Sequence, residues 1–164
     1  MKSTRGHEKG FTLIEILVVI GIIAILAAIV IIAINPAKQF AQARNTQRQA
    51  GVNTILNAIG QRLADNKGIF AGTFTINAVN YTCPAIAAGP TGVDRAAAGT
   101  GEDLSCLVPT YVASLPIDPD ATIVTTTATG YDVAVSPTGR ITVCAPQAAT
   151  ETSIPSPASI CVTR

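Results

Sequence analysis

The sequence has no tryptophan, a single histidine and few charged side chains. Charged residues make up 13% of the 164 residues and aromatic residues 4%, whereas hydrophobic residues make up 48%. The histidine is His7, and there is no C-x-x-C pair, no phosphate-binding Gly-rich loop and no G-x-S-x-G sequence. These absences argue against a zinc site and against the common hydrolase and nucleotide-binding enzymes. We therefore expect neither enzymatic activity nor a cofactor.

Charges of opposite sign are concentrated in different parts of the chain. Between Lys38 and Lys67 there are five basic residues and one acid, Asp65. The part that follows Lys67 holds seven acids and three bases. Phosphate backbones are bound by clustered Lys and Arg, so this acidic part predicts no direct binding of nucleic acid.

The longest feature is an apolar run from Gly10 to Pro36. Three basic residues precede it (Lys2, Arg5 and Lys9), and no charge occurs from Ile16 to Ile34. A helix from Phe11 to Ile34 would be about 36 Å long, enough to cross a hydrocarbon core of about 30 Å. The basic residues ahead of the run place the N-terminus in the cytoplasm and the rest of the chain outside.

Glu15 is a charged residue near the start of this run. A carboxylate in lipid costs about 2.5–3.5 kcal/mol on insertion scales, so Glu15 needs a partner. If the chain is cut between Gly10 and Phe11, the new α-amine of Phe11 and the Glu15 side chain have i, i+4 spacing on one helical face. An ammonium and a carboxylate so placed, within one chain or between neighbouring helices, could neutralise each other.

A short basic leader that ends in Gly10, followed by Phe11-Thr12-Leu13-Ile14-Glu15 and an unbroken apolar helix, resembles the prepilin signature of type IV pilins and pseudopilins. The resemblance implies cleavage after Gly10 by a prepilin peptidase, N-methylation of Phe11 and assembly into a helical filament. It also implies that Glu15 guides the docking of each new subunit. The implied partners are other copies of the chain, the peptidase, the assembly machinery and the cytoplasmic membrane, and the implied destination is an extracellular pilus.

The fold class predicted from the sequence is α+β, with a long N-terminal helix packed on a small antiparallel sheet. Residues 1–10 form the leader, residues 11–67 the helix and residues 68–164 the β-domain. The helix comprises a transmembrane half (residues 11–34) and an amphipathic half (residues 37–66), with a kink at Pro36 because proline removes a backbone donor. In the amphipathic half an apolar stripe of i, i+3, i+4, i+7 spacing should pack on the sheet: Val52, Ile55, Leu56, Ile59 and Leu63.

Arg44 and Arg48 precede this stripe, in a segment rich in Gln and Ala. We expect this segment to face other subunits, so that the basic part of one copy complements the acidic part of another. Gly51 and Gly60 should each weaken the helix relative to Ala.

The chain after Ile69 has strand and turn signals. Thr73–Asn77 alternates as a short strand, and residues 84–103, rich in Ala, Gly and Pro, read as a long surface loop. Three further strands are predicted, at Ala121–Thr127, Tyr131–Val135 and Arg140–Ala145, forming an antiparallel meander.

Four cysteines follow the anchor: Cys83, Cys106, Cys144 and Cys161. An even number in an exported domain predicts two disulfides, for which three pairings are possible. We favour the sequential pairing, Cys83–Cys106 and Cys144–Cys161, because each bond then closes a local loop. The second bond would bound a C-terminal loop that resembles the one found in many pilins.

Residues 115–119 form a Leu-Pro-x-Asp-Pro turn that resembles the entry to the sheet in pilins and in the major pseudopilin of type II secretion. Some of these relatives bind calcium just after such a turn, which makes Asp118 and Asp120 weak candidate ligands. Two carboxylates are too few for the usual six to eight oxygen ligands, so we favour a simple turn and predict no metal.

The function that we predict is a structural subunit, a pilin that polymerises into a type IV pilus after cleavage at Gly10-Phe11. Two alternatives remain. One is a pseudopilin of a type II secretion system. The other is a membrane-tethered extracellular binding module that never polymerises.

Overall fold

A computed structural model describes residues 10–95, 101–120 and 122–164. Leader residues 1–9, five residues of the predicted surface loop (96–100) and Ala121, the first residue of a predicted strand, lie outside the described residues. The chain divides into two units, Met1–Gln39 and Phe40–Arg164. The second is called the globular unit below.

The first helix, α1, spans Leu13–Ile34. It contains no buried residue, and its Ile, Leu and Val side chains are all at least half exposed. Thr12, in the extended conformation, caps its N-terminus.

The interruption predicted at Pro36 is a complete break between two helices. Asn35 ends α1 in the left-handed conformation (φ 47°, ψ 80°), and Pro36 is the first residue of α2. A residue before proline is disfavoured in the right-handed helical region, whereas proline suits the first turn of a helix. Asn35 also serves α2, because its backbone carbonyl accepts hydrogen bonds from the amides of Lys38 (3.1 Å) and Gln39 (3.4 Å).

The second helix, α2, spans Pro36–Asp65. The predicted stripe is its buried face: Val52, Ile55, Leu56 and Ile59 are fully or almost fully buried. The helix stops where Lys67 and Gly68 take positive φ, and the Gly68 amide donates to the Leu63 carbonyl (2.8 Å). This is a helix stop that depends on glycine, because Gly68 takes a positive φ without steric cost.

A hairpin follows α2, built from β1 (Gly72–Ile76) and β2 (Val79–Cys83). Its two-residue turn, Asn77-Ala78, has positive φ at both positions, as turns that match the twist of a hairpin require. The rings of Phe74 and Tyr81 stack on one face of the hairpin.

The main sheet has five strands in the order β4-β3-β5-β6-β7. They are β3 (Thr91–Asp94), β4 (Glu102–Asp103), β5 (Ala128–Val135), β6 (Ile141–Ala145) and β7 (Ile160–Thr163). All neighbours are antiparallel except β3 and β4, which form a short parallel pair. The predicted α+β class is confirmed, and the predicted sheet is antiparallel apart from that edge.

The core of the globular unit lies between the stripe of α2 and one face of this sheet. Alternate residues of β5 and β6, among them Tyr131, Val133, Ile141 and Val143, are buried with Val52, Ile55 and Ile59. The period of two in the strands and the period of 3.6 in the helix place these side chains on facing surfaces.

Two predictions for the sheet region are wrong. The segment read as a loop contains β3 and β4, which are too short to show alternation. β3 is held by pairing with the distant strand β5, and β4 pairs in turn with β3. Residues 122–127, read as a strand, form turns instead. There the Thr125 hydroxyl accepts hydrogen bonds from the backbone amides of Thr127 (3.3 Å) and Ala128 (2.9 Å), and such local bonds compete with a sheet ladder.

The two glycines of α2 should respond to alanine in opposite ways. A Cβ at Gly51 would overlap the ring and hydroxyl of Tyr131, whereas a Cβ at Gly60 would meet nothing within 4 Å. We expect G60A to raise the free energy of unfolding of the full-length protein by up to about 1 kcal/mol. G51A should lower it by about 1–3 kcal/mol, because Tyr131 is buried and cannot move away freely. The free energies of unfolding of both variants are measured by denaturant titration, with the near-ultraviolet circular dichroism of tyrosine as the signal. Equal effects of the two substitutions would contradict this packing.

Candidate functional site

The bond between Gly10 and Phe11 lies in an exposed, non-helical segment just ahead of α1. Both residues are exposed, Phe11 by 85%, and the chain becomes helical only at Leu13. An extended and accessible peptide bond is what a protease needs. The structure therefore leaves the predicted cleavage bond open to an enzyme.

Glu15 forms a capping box with Thr12 at the start of α1. Its Oε2 accepts hydrogen bonds from the Thr12 backbone amide and from the Thr12 hydroxyl, both at 2.8 Å. The Glu15 amide in turn donates to the Thr12 hydroxyl at 3.3 Å. Sequence reasoning sought a partner for Glu15 at Phe11 and missed Thr12, although T-x-x-E is the signature of a capping box.

The other carboxylate oxygen of Glu15, Oε1, accepts no hydrogen bond from the described residues. The pairing of Glu15 with the Phe11 amine requires prior cleavage, because the Phe11 nitrogen is part of a peptide bond in the full-length chain. That pairing stays a prediction.

Apart from Glu15 in its first turn, α1 is apolar on every side. It has 22 residues, an 18-residue window within it has a mean hydropathy of 3.5, and none of its residues is buried. At about 1.5 Å per residue it is about 33 Å long, so it can cross a bilayer by length and composition. The small residues Gly21, Ala24, Ala27 and Ala28 lie within it, and such residues let helices approach closely.

A cluster of buried ion pairs fixes the part of α2 that lies in the globular unit. The Arg48 guanidinium is 1% exposed and binds the Asp118 carboxylate with two bonds, Nε to Oδ2 at 2.8 Å and Nη2 to Oδ1 at 3.0 Å. Its Nη1 donates to Glu151 Oε1 at 2.6 Å and to Asn45 Oδ1 at 2.9 Å. The cluster thus joins α2 to the turn before β5 and to the segment before β7.

Arg44 extends the cluster to the edge of the globular unit. Its Nε donates to Glu151 Oε1 at 2.7 Å, and its Nη2 bonds Glu151 Oε2. The hydrogen bond from Arg44 is the main reason that the pKa of Glu151 falls to about 2, with Arg48 adding to the effect. Arg48 does not fit the expectation that this segment faces other subunits, because it is 1% exposed and paired with acids of its own chain. The Arg44 side chain is 39% exposed, and for the rest of the segment the expectation stays a prediction.

The burial of Arg48 had a signal in the sequence. Arg48, Val52, Ile55 and Ile59 have i, i+4, i+7 and i+11 spacing, so Arg48 belongs to the apolar stripe of α2. An arginine on a buried face needs a carboxylate. The sequence does not indicate which acids pair with Arg48, because Asp118 and Glu151 lie 70 and 103 residues away along the chain.

Asp118 and Asp120, the candidate calcium ligands, bind groups of their own chain instead. Both oxygens of Asp118 are bonded to Arg48, and Asp118 is 2% exposed. Asp120 Oδ1 accepts from the amide and hydroxyl of Thr122, at 3.0 and 2.7 Å. Asp118 Oδ1 also accepts from the Asp120 amide at 2.8 Å, so the two acids build the turn.

Two disulfides close the loops of the globular unit. Cys83 is bonded to Cys106 and Cys144 to Cys161, which is the sequential pairing. The first bond joins the hairpin to the short 3₁₀ turn Ser105–Leu107, and the second joins β6 to β7 directly across the ladder. Each could contribute about 2–4 kcal/mol by restricting the unfolded chain.

The architecture and the site together define an α+β protein, pilin-like in fold, with an exposed apolar N-terminal helix. Residues 5–33 match the family model of the prokaryotic N-terminal methylation motif. The chain therefore carries the leader motif of type IV pilins and pseudopilins, and the match includes Gly10, Phe11 and Glu15. No curated protein and no solved structure gives a significant match to the chain.

Removing the charge of Asp118 should destabilise the globular unit strongly. In D118N the Arg48 guanidinium stays buried but loses half of its negative partners, and breaking a buried pair from one side costs about 3–5 kcal/mol. The neighbouring variant D120N is the matched control and should change the free energy of unfolding by no more than about 0.5 kcal/mol, because Asp120 is partly exposed. Denaturant titration of both variants makes the comparison, and a D118N protein as stable as D120N would contradict the role of the cluster.

Glu151 should make the protein sensitive to acid. Its pKa lies near 2 in the folded chain and near 4.5 when unperturbed. A group with a lowered folded pKa stabilises the fold fully above its unfolded pKa, and this contribution is lost as the pH falls from about 4.5 to about 2. We expect wild type to lose more stability than E151Q over this range in unfolding titrations at several pH values. Parallel stability curves for the two proteins would show that Glu151 is not held by the arginines.

Proposed function

We propose that the chain is a structural subunit of a type IV pilus, made as a membrane-anchored precursor and polymerised after cleavage between Gly10 and Phe11. One observation carries the proposal: the methylation motif at residues 5–33 includes almost all of α1, a helix that is apolar and exposed all round. The proposed role is structural and not catalytic. Two of the three buried acids of the described residues, Asp118 and Glu151, are bonded to arginines that hold the fold.

The exposed apolar surface of α1 must be covered twice, first in the membrane-bound precursor and then in the filament. Each buried Val, Leu or Ile side chain is worth about 1.5–3 kcal/mol, so α1 will not stay in water. In the precursor, lipid would cover it, with the basic leader in the cytoplasm and the globular unit outside. In the filament, the helices of other copies would cover it, and Gly21, Ala24 and Ala27 would permit close approach.

Glu15 would select the position of each incoming copy. The Thr12 bonds to Oε2 offset part of the cost of the carboxylate in lipid, but they leave its charge in place and leave Oε1 open. The methylated amine of a neighbouring Phe11 would supply the opposite charge. Because an ion pair is strong in a low-dielectric environment, this contact would favour one axial register over others.

The prepilin peptidase and the assembly machinery are the partners that this route requires, and we propose no nucleic-acid ligand. The alternative of a type II secretion pseudopilin shares the leader and the helix, and the turn at Leu115–Pro119 favours it. The two disulfides and the loop bounded by Cys144 and Cys161 favour a pilus. Electron microscopy of the native cell surface separates the two, since only a pilus gives long external fibres.

Two substitutions at the start of α1 separate the charge of Glu15 from its capping role. E15Q removes the charge, but glutamine still serves in a capping box. T12A removes the cap, at a cost of about 0.5–2 kcal/mol, but keeps the charge. If Glu15 pairs with a neighbouring Phe11, E15Q should abolish filaments in sheared surface fractions, while T12A should still assemble.

Both variants should be inserted in the membrane at wild-type levels, which immunoblots of membrane fractions check. Normal filament yield from E15Q would contradict the ion-pair role of Glu15. Absence of filaments from wild type itself, with leader cleavage intact, would contradict the pilus proposal and leave the pseudopilin and the tethered binding module as the alternatives.

A further inference from the structure

A cavity of about 540 Å³ opens beside the end of β3 in the globular unit. Its lining includes one cationic residue, Arg95, and two residues that carry hydroxyl groups, Ser105 and Ser114. The rest of the lining is aliphatic: Val108, Leu115, Pro116 and Ile117. A mostly apolar cavity of 300–1,000 Å³ with a few polar groups has the character of a small-molecule site.

The charge of Arg95 lacks a counter-ion in the described part of the chain. Its guanidinium donates one hydrogen bond there, from Nη2 to the backbone carbonyl of Thr125, and its buried Nε has no partner. The ion pairs among the described residues belong to Arg44 and Arg48. The undescribed residues closest in sequence, 96–100 and Ala121, include no acidic side chain.

A second arginine, Arg62, shows what a closed site looks like. Its Nε is also buried without a partner, but its guanidinium lies 4.4 Å from the center of the Phe74 ring and the residue is 4% exposed. The aromatic ring takes the place of a counter-ion there and closes the site. Among the described residues no aromatic ring covers Arg95, which is partly exposed at the wall of a cavity.

We infer that this cavity binds a small organic carboxylate with an aliphatic body. The carboxylate would accept hydrogen bonds from the Arg95 guanidinium, which presents a planar set of donors suited to that group. The Ser105 and Ser114 hydroxyls can donate to the same anion. The aliphatic body would cover Val108, Leu115 and Ile117, of which Ile117 is 48% exposed. This activity does not depend on polymerisation.

The source of the carboxylate is either a free acid or the C-terminal carboxylate of a peptide, and the binding chemistry is shared. Sodium hexanoate represents the free acid, and the dipeptide Gly-Leu represents a peptide end. Sodium acetate is the control for the sodium ion and the carboxylate, because it has the same charge as hexanoate but lacks the long aliphatic body. Hexan-1-ol has a similar body without the charge.

The test is a saturation-transfer NMR titration of the full-length protein in lipid nanodiscs, with empty nanodiscs subtracted. Wild type should bind hexanoate saturably, and at least about ten-fold more tightly than acetate or hexan-1-ol. R95Q should weaken hexanoate binding by about ten-fold or more, and R95K, which keeps the charge, should restore part of it. R140Q is the matched control, because Arg140 is an exposed arginine outside the cavity and its loss changes the net charge equally.

Three results would overturn the inference: no saturable hexanoate binding by wild type, equal binding of hexanoate and hexan-1-ol, or equal losses in R95Q and R140Q. Preference for Gly-Leu over hexanoate would assign the site to peptide ends, and the reverse preference would assign it to free acids.

Hydrogen exchange of the backbone amides of β5 and β6 checks that R95Q is folded. If it is not, the comparison of hexanoate with hexan-1-ol on wild type still decides. Failure of this test leaves the pilin proposal intact, since α1 and Glu15 are not involved.

Discussion

The apolar surface of α1 is the constraint on which the rest of the account depends. Twenty-two consecutive residues expose aliphatic side chains on every side, and the helix can be stable only in lipid or among other helices. Glu15 is the one ionisable side chain within it. The structure shows how a single chain tolerates that charge, by turning the carboxylate into the cap of its own helix through Thr12.

The globular unit depends on a different interaction, the pairing of Arg48 with Asp118 and Glu151. These three residues come from α2, from the turn before β5 and from the segment before β7. A buried ion pair is weak evidence for high stability, because desolvation offsets much of the attraction. Its consequence here is specificity, since a helix rotated or shifted on the sheet would leave Arg48 buried without a counter-ion. The cavity at Arg95 is the contrasting case, because among the described residues no acid pairs with this arginine.

Local and periodic features were predictable from the sequence. The length of α1, the apolar stripe from Val52 to Ile59, the stop at Gly68 and the strands around Tyr131–Val135 and Arg140–Ala145 all follow from patterns within a few residues. The errors involve contacts between residues far apart in the chain. β3 exists because β5 offers it an edge, and β4 pairs in turn with β3. Residues 122–127 fail to form a strand because Thr and Asp side chains bond the nearby backbone.

The burial of the Arg48 side chain also depends on contacts with residues far away in the chain. Its spacing from Val52 placed it on the buried face, but basic residues ahead of an apolar stripe more often face solvent or a partner. Only the fold brings Asp118 and Glu151 to it. The capping box is the opposite case, because Thr12 and Glu15 are three residues apart and their contact could have been predicted.

The central claim is that the chain is a processed filament subunit, and the intact mass of the protein from its native cell surface tests it most directly. The account predicts a chain that begins at N-methylated Phe11 and gains four hydrogen atoms on reduction, from the bonds Cys83–Cys106 and Cys144–Cys161. A chain that still begins at Met1, or one cut near Ala37 so that α1 is lost, would contradict it. Either result would leave a tethered or secreted binding domain.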